Sequence, residues 1–442
     1  MGKRADHLLT VLLAAAVVGV ARAQQPHAPI DPGVTGTVTP IVAEEPRASD
    51  LPRGAADPAP SAEALRRITA DFHDCLARLW PLAARRGIAR AHYVTWTQSL
   101  APDAGVLELM ENQPEFARPI WDYLDLLVND ARIEKGRALL ARYRATFDAV
   151  ERAYGVDRAI LAAIWGVESD YGTRIGERPV LRSTATLACF GRRQNYFRGE
   201  FLAALEILEH GDVRPERLVG SWAGAFGPTQ FMPTSFRRYA VDFDHDGRRD
   251  VVDSIPDAIA STANNLRRDG WIRGQNWGYE VVVPADFDFM LADGQRHMAI
   301  AQWRRLGLVR AGGRTFPRPA DEAFLLVPAG VQGPAFLLLH NFRVIMKYNP
   351  AEAYALAIGH LADRLRGGGP FVQPWPRYER ALSRAERLEL QRRLARRGYD
   401  VGALDGDLGV RTRAAVRDFQ AEIGRVPDGF ATVGLLERLR GR

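Results

Sequence analysis

Residues Ile160 to Val167 read Ile-Leu-Ala-Ala-Ile-Trp-Gly-Val, a run with no polar side to turn toward water. A helix that is apolar all round is buried on most sides, so other elements must pack around this one. The 442-residue chain has the material for such a core: it is 47% hydrophobic and 25% charged, far from a disordered composition. At roughly 150 residues per domain it allows two or three domains. Its formal charge of +6 comes from 59 basic and 53 acidic residues that are interspersed. Nucleic-acid binders concentrate positive charge on one face; with no block of like charge here, nucleic acid is not an expected partner. A diffuse basic excess fits an acidic polymer better.

The compartment is read from the first residues. Lys3 and Arg4 precede the apolar run Leu8 to Val20, which is too short to span a membrane and has the length of a signal segment. Ala21-Arg22-Ala23 supplies the small-x-small cleavage pattern. Residues 1–23 are therefore expected to be a signal peptide, without a Cys for lipid attachment, and no later segment suits a membrane span. The expected location is the periplasm. Cys75 and Cys189 are the two cysteines. In an oxidising compartment they can pair, but sequence does not establish proximity, and two separately buried thiols fit equally.

Residues 24–61 are rich in Pro, Ala, Gly and Thr and read as a linker. From Ala62 the apolar positions Ile68, Phe72, Cys75, Leu76, Leu79 and Leu82 recur at helical spacing. Further helices are expected over Arg137 to Tyr154, Ala159 to Val167, Phe197 to Glu209, Ala258 to Arg268, Ala335 to Arg343 and Pro350 to Arg366. Strands are expected at Tyr279 to Val283 and Phe324 to Pro328. The class is thus mainly α with a small β portion (α+β). Gly367 to Pro370, with Pro374 and Pro376, marks a boundary, giving a main domain over 62–366, a Gly/Pro linker over 367–379 and a small domain over 380–442.

The apolar helix ends in Glu168-Ser169-Asp170-Tyr171-Gly172. A carboxyl in such surroundings loses hydration, which raises its pKa toward the range of a general acid. The later segment Gly220-Ser221-Trp222 through Gln230-Phe231-Met232-Pro233 combines glycines, which let a backbone approach a ligand, with rings that can stack on sugars. Ser221 and Gln230 add neutral hydrogen-bonding groups. The two segments together resemble lytic murein transglycosylases, and the B-type family in particular. Gly166-Val167-Glu168, Tyr171-Gly172, Arg192-Arg193, Gln230 to Pro233, Tyr239 to Phe243, Gly270-Trp271, Asn341-Phe342, Tyr348-Asn349 and Tyr354-Ala355 carry the likeness over about residues 62 to 366.

The resemblance implies a goose-type lysozyme-like core with extra α and small β portions. It also implies cleavage of the β-1,4 bond between N-acetylmuramic acid and N-acetylglucosamine of peptidoglycan, leaving 1,6-anhydromuramic ends. Glu168 would act as acid and then base, because the substrate supplies its own nucleophile. Ser221, Gln230, Arg192, Arg193, Tyr348, Asn349 and Tyr354 are the implied substrate-binding residues, and peptidoglycan strands and other cell-wall enzymes the implied partners. Asp170 is not assigned as a second carboxyl, since on a continuing helix it would point away from Glu168. A non-catalytic wall-binding scaffold and a hydrolytic muramidase remain the alternatives.

Asp242, Asp244, Asp246, Gly247, Arg248, Asp250 and Asp253 fall on positions 1, 3, 5, 6, 7, 9 and 12 of a calcium loop. Arg248 would contribute only its carbonyl. The resemblance favours Asp257 over Asp253 as the closing ligand, leaving both open, and makes a structural Ca2+ the expected cofactor; no organic cofactor is expected. The metal-free alternative needs Arg248 and Arg249 to neutralise the loop. Finally, Leu388, Leu390, Leu394, Gly398-Tyr399, Asp405-Gly406, Phe419-Gln420 and Asp428-Gly429 resemble a three-helix peptidoglycan-binding domain, with helices over Arg384 to Arg397, Val410 to Ile423 and Thr432 to Leu439.

Overall fold

The computed structural model describes residues 62–111 and 119–441. The expected signal peptide and the 24–61 linker lie outside the described residues. The N-terminal helices are α1 (Ala62–Arg85), α2 (Arg90–Thr97) and α3 (Ala104–Glu111), followed by α4 (Ile120–Leu127), α5 (Asp130–Arg142), α6 (Arg144–Tyr154) and α7 (Arg158–Ser169). A two-stranded ladder of β1 (Arg178–Pro179) and β2 (Val219–Gly220) brackets α8 (Val180–Phe190) and α9 (Gln194–Glu209). Then come α10 (Pro233–Tyr239), α11 (Ile255–Arg268) and the strands β3 (Gly278–Val282) and β4 (Met298–Ala299). After α12 (Ile300–Arg305) lie β5 (Val309–Arg310), β6 (Glu322–Leu326) and β7 (Ala335–Leu338), and then α13 (His340–Tyr348) and α14 (Glu352–Leu365). The C-terminal unit is α15 (Arg384–Arg396), α16 (Val410–Glu422) and α17 (Val433–Arg440).

The apolar run forms α7, and its side chains are buried on every side. The Asp157 carboxylate caps its start by accepting from Ala159 N at 2.7 Å. Helices α5, α11, α13 and α14 surround it, together with one face of the sheet. That sheet is antiparallel in the order β4-β6-β7-β3-β5. Alternation along its strands sends Phe324, Leu326, Phe336 and Leu338 into the helical core. Leu325, Leu337, Tyr279 and Val281 pack on the opposite face with Trp303. Side chains on a strand alternate in this way.

Two expectations require correction. Ala335 to Arg343 is not one helix: Ala335–Leu338 is a strand buried on both faces, and the helix begins only at His340. A strand covered on both sides reads as a continuous apolar run, which periodicity does not distinguish from a buried helix. Arg137 to Tyr154 is broken at Tyr143, which caps both α5 and α6 with non-helical backbone (φ −101°, ψ 28°).

The segment expected to be a loose Gly/Pro linker packs on the main body. Phe371 stacks on His360 with ring centres 3.8 Å apart. Trp375 lies against Trp121 and Phe336. Val372 N and Gln373 N both donate to the Glu280 carboxylate. The C-terminal unit then docks: Arg413 makes two 2.7 Å bonds to Glu352 on α14, and Val331 N donates to Asp428 at 3.0 Å. Its own core is Leu390, Leu394, Phe419, Leu435 and Leu436, and Ser383 and Glu386 cap α15 reciprocally. At the other end of the chain, Cys75 on α1 and Cys189 on α8 form a disulfide, deciding between the two thiol readings.

Candidate active site

Glu168 lies in the last turn of α7 with 0% of its surface exposed. Its Oε1 accepts from the Tyr354 hydroxyl at 2.7 Å, while Oε2 is buried without a partner. Burial drives its pKa well above the usual carboxylate range, against a smaller opposing effect of the Tyr354 hydrogen bond. The helix C-terminus disfavours a negative charge there as well. This carboxyl therefore keeps its proton where an exposed glutamate has lost it. Tyr354 comes from α14, which packs along α7.

The turn after Glu168 sets what faces it. Asp170 and Tyr171 both take left-handed backbone, with φ 48° and 58°, so the helix does not continue. Asp170 turns to Lys135, which donates at 3.2 Å, and to Arg132 at 3.5 Å. Burial alone would raise the Asp170 pKa, but bonds from Lys135 and Thr173 and these charges hold it low. Asp170 is thus an ion-pair anchor. The Tyr171 ring folds back over Gly166, where an added Cβ would sit 2.6 Å from it, so only glycine fits.

The Gly-rich segment is tied directly beneath the carboxyl. Ser169 Oγ donates to Pro228 O at 2.5 Å, and the Tyr348 hydroxyl donates to Thr229 O at 2.5 Å. Gln230, with φ 52°, donates to Ile175 O and Gly227 O at 3.1 and 2.9 Å, and its buried Oε1 has no partner. Ser221 is spent on its own turn, its hydroxyl accepting from Ala225 N at 3.1 Å. Asn349 likewise accepts from Ala351 N at 3.2 Å. Arg192 and Arg193 stand exposed at the head of α9, with the Arg193 guanidinium 4.3 Å from the Tyr196 ring centre. Neither is among the groups that set the proton affinity of Glu168.

Sequence reading missed Ser169 and Glu200. Glu200 is buried on α9 and accepts from Thr234 N and Oγ1 at 2.9 and 2.7 Å, pinning the start of α10 just after Gln230 to Pro233. Its signal was a carboxylate three residues after Phe197, on the face that also carries Phe201 and Ala204.

In the acidic loop, oxygens of Asp242, Asp244 and Asp257 converge within 4.8 Å of one another. Asp257 is fully buried and accepts from Phe243 N, Asp244 N and Asp250 N. Asp253 faces elsewhere, in an ion pair with Arg217. Asp246 accepts from Arg248 N at 2.9 Å and stands outside the converging trio. The Arg248 guanidinium reaches Asp246 and Asp250, and Arg249 pairs with Asp212. Among the described residues, no arginine or lysine pairs with Asp242, Asp244 or Asp257. Three carboxylates so close without a cationic side chain are a donor set that fits a hard divalent ion.

Residues 71–363 match the transglycosylase SLT domain, and residues 383–439 the putative peptidoglycan binding domain. Over 270 residues the chain is 31% identical to membrane-bound lytic murein transglycosylase B of Escherichia coli, covering 58% of this chain and 73% of that protein. The chain belongs to the lytic murein transglycosylase B family. Among solved structures, SltB3 of Pseudomonas aeruginosa in complex with NAG-anhNAM-pentapeptide is 47% identical, with a TM-score of 0.81 over 84% of this chain and 99% of that one. The Escherichia coli transglycosylase Slt35 in complex with calcium is 27% identical, with a TM-score of 0.57 over 67% of this chain and 93% of that one. This family member thus has the mainly helical, lysozyme-like transglycosylase fold with a helical C-terminal domain.

Proposed function

We propose that this chain is a periplasmic lytic transglycosylase that cleaves the N-acetylmuramic acid to N-acetylglucosamine bond of peptidoglycan and leaves 1,6-anhydromuramic ends, with Glu168 as the only catalytic carboxyl. The observation that carries this reading is the isolation of Glu168: it is buried, its pKa is driven up by that burial, it is held by Tyr354 and it has one oxygen unpartnered. Hydrolytic glycosidases generally use two carboxyls, and here the neighbouring Asp170 is committed to Lys135 and Arg132.

The Glu168 proton passes to the glycosidic oxygen as the bond from it to the muramic C1 breaks. The resulting carboxylate takes the proton of the muramic 6-hydroxyl as that oxygen bonds to C1. The enzyme ends as it began, and no water is consumed. Tyr354 steadies the carboxylate between the two steps, since a hydroxyl donor favours the charged form. The orphaned Oε1 of Gln230 suits a sugar hydroxyl or amide donor, and Tyr348 fixes the loop that presents it. The exposed Arg192 and Arg193 suit substrate carboxylates farther along the strand. Asp242, Asp244 and Asp257 would hold a Ca2+ ion, with Asp246 and the Arg248 carbonyl at the rim; the ion's chemistry there is structural charge neutralisation. The C-terminal domain grips the wall polymer.

The test is digestion of purified murein in 18O water followed by mass spectrometry. Anhydro ends without 18O are expected. Reducing ends carrying 18O would make the enzyme a muramidase, and no release would make it a scaffold.

A further inference from the structure

Left-handed backbone is costly for any residue with a Cβ. Among the described residues, the non-glycine residues that adopt it are Asp170, Tyr171, Gln230 and His245. The first two form the turn directly after Glu168, and Gln230 lies in the segment that Ser169 ties to the same turn. Such a conformation persists only where its surroundings over-determine it.

Here the surroundings are α5. Lys135 Nζ donates to Asp170 O at 2.7 Å, to Asp170 Oδ2 at 3.2 Å and to Thr173 Oγ1 at 3.3 Å. Thr173 closes the cluster by donating to Asp170 O at 2.8 Å. The Arg132 guanidinium stands 3.5 Å from Asp170, but it also donates to Leu126 O and Leu127 O at the end of α4. The Tyr171 hydroxyl donates to Arg132 O at 3.0 Å and lies over Gly136, where an added Cβ would stand 2.1 Å from its oxygen. Positions 132, 135 and 136 share one helix face, and that face seats both left-handed residues.

The residue type at 135 is itself selective. Of the 59 basic residues, only Lys3, Lys135 and Lys347 are lysines. A compact ammonium offers three donors from one atom, whereas a guanidinium spreads its donors over a planar fork. At Lys135 three acceptors converge on that one atom.

What the seat holds is the end of α7. Without it a right-handed continuation of the helix competes, because Asp and Tyr accept that backbone more readily. Continuation would carry the Tyr171 ring from its place over Gly166 and Ser169 Oγ away from Pro228 O. Lys135 is not among the groups that set the proton affinity of Glu168, so its influence on that carboxyl runs through geometry.

We propose that Lys135 is a positioning residue for the reaction: it holds the left-handed Asp170-Tyr171 turn on α5 and so keeps Glu168 and Ser169, at the end of α7, in register with the Gln230 segment. The consequence for turnover rests on Glu168 as the acid proposed above; the grip of Lys135 on the turn does not.

The test compares full-length Lys135→Met, which keeps an unbranched stem and removes the ammonium, with wild type on short soluble glycans well below the melting temperature of either. The kcat is expected to fall about tenfold or more, since a small misplacement of a catalytic group is costly. KM should stay within about twofold, because the ammonium is spent on the turn. Adding Asp170→Gly to Lys135→Met should bring kcat back to within about threefold of wild type, as glycine ends a helix in left-handed backbone unaided. A kcat within about twofold of wild type in Lys135→Met, a rise in KM alone, or a double variant no faster than Lys135→Met would each overturn the proposal. The infrared band of the Glu168 carboxyl reads the same geometry without turnover. It should shift in Lys135→Met and return in the double variant; an unmoved band would also overturn the proposal. Near-wild-type turnover in Glu168→Gln is the separate failure of the acid role, and the band still decides whether Lys135 positions that carboxyl.

Discussion

Glu168 and Asp257 are both fully buried carboxyls in the end turn of a helix, yet their surroundings differ. Glu168 closes α7, has a single donor in Tyr354, and finds no other carboxyl near enough to shift it. Asp257 opens α11, accepts three backbone N–H groups and faces Asp242 and Asp244. A helix N-terminus favours negative charge and a C-terminus opposes it. Burial raises both pKa values, that of Asp257 to about 6, but at Asp257 three backbone donors oppose the rise, whereas at Glu168 only the Tyr354 hydroxyl does. The same functional group is thus held differently by its neighbours, which suits Glu168 to the acid role and Asp257 to the metal-ligand role proposed above.

Replacing Glu168 should break the comparison most sharply. Glu168→Gln keeps the shape but neither donates nor accepts a proton, so turnover of short soluble glycans should fall by about a thousandfold or more, measured by release of anhydro products. Turnover within tenfold of wild type would remove Glu168 from the chemistry.

The acidic loop comes next. A ligand bound only by the native state stabilises it by about 2.7 kcal/mol at a hundredfold excess over its Kd. Wild type should melt higher in excess calcium than in chelator, and Asp242→Ala with Asp257→Ala should abolish the difference. An unchanged melting temperature would leave the trio without a metal.

Tyr354→Phe sharpens the contrast at the catalytic end. Loss of its hydroxyl removes the one bond favouring the Glu168 carboxylate, so the pKa should rise further. Turnover should fall about tenfold, and the basic limb of the pH–rate profile should move to higher pH. An unmoved limb would contradict the pairing.

The smallest effect concerns stability. The Glu168 pKa is raised on folding, so its protonated form stabilises the native state below about pH 4.3, the unfolded value, and this contribution is lost as pH rises toward the folded value. Glu168→Gln should therefore melt above wild type at neutral pH, with the gap closing on acidification. Thermal scans at pH 4 and pH 7 read this directly.

Local features were legible in the sequence where a residue's neighbours in the chain are also its neighbours in space. The apolar surroundings of Glu168 come from α7 itself, and the alternating Asp242 and Asp244 share one loop. Features set by distant partners were not. Nothing near Cys75 names Cys189, 114 residues away. Nothing in Gly367 to Pro376 announces that Phe371 will meet His360 or that Trp375 will meet Trp121, so the segment reads as a tether. Asp253 matched a calcium position by spacing, but Arg217, remote in sequence, claims it. Ala335–Leu338 misled for a different reason, because burial on both faces erased its period of two.

The claim at the centre of the account is that Glu168 holds its proton well above the range of an ordinary carboxylate. Infrared difference spectra between wild type and Glu168→Gln, taken across a pH titration, isolate this one group. A protonated-carboxyl band is expected to persist well above pH 4.3, near which an exposed glutamate half-ionises, and to be absent from the variant throughout. A band that titrates away at the ordinary value would show a solvated glutamate, and the acid-then-base role of Glu168 would not stand.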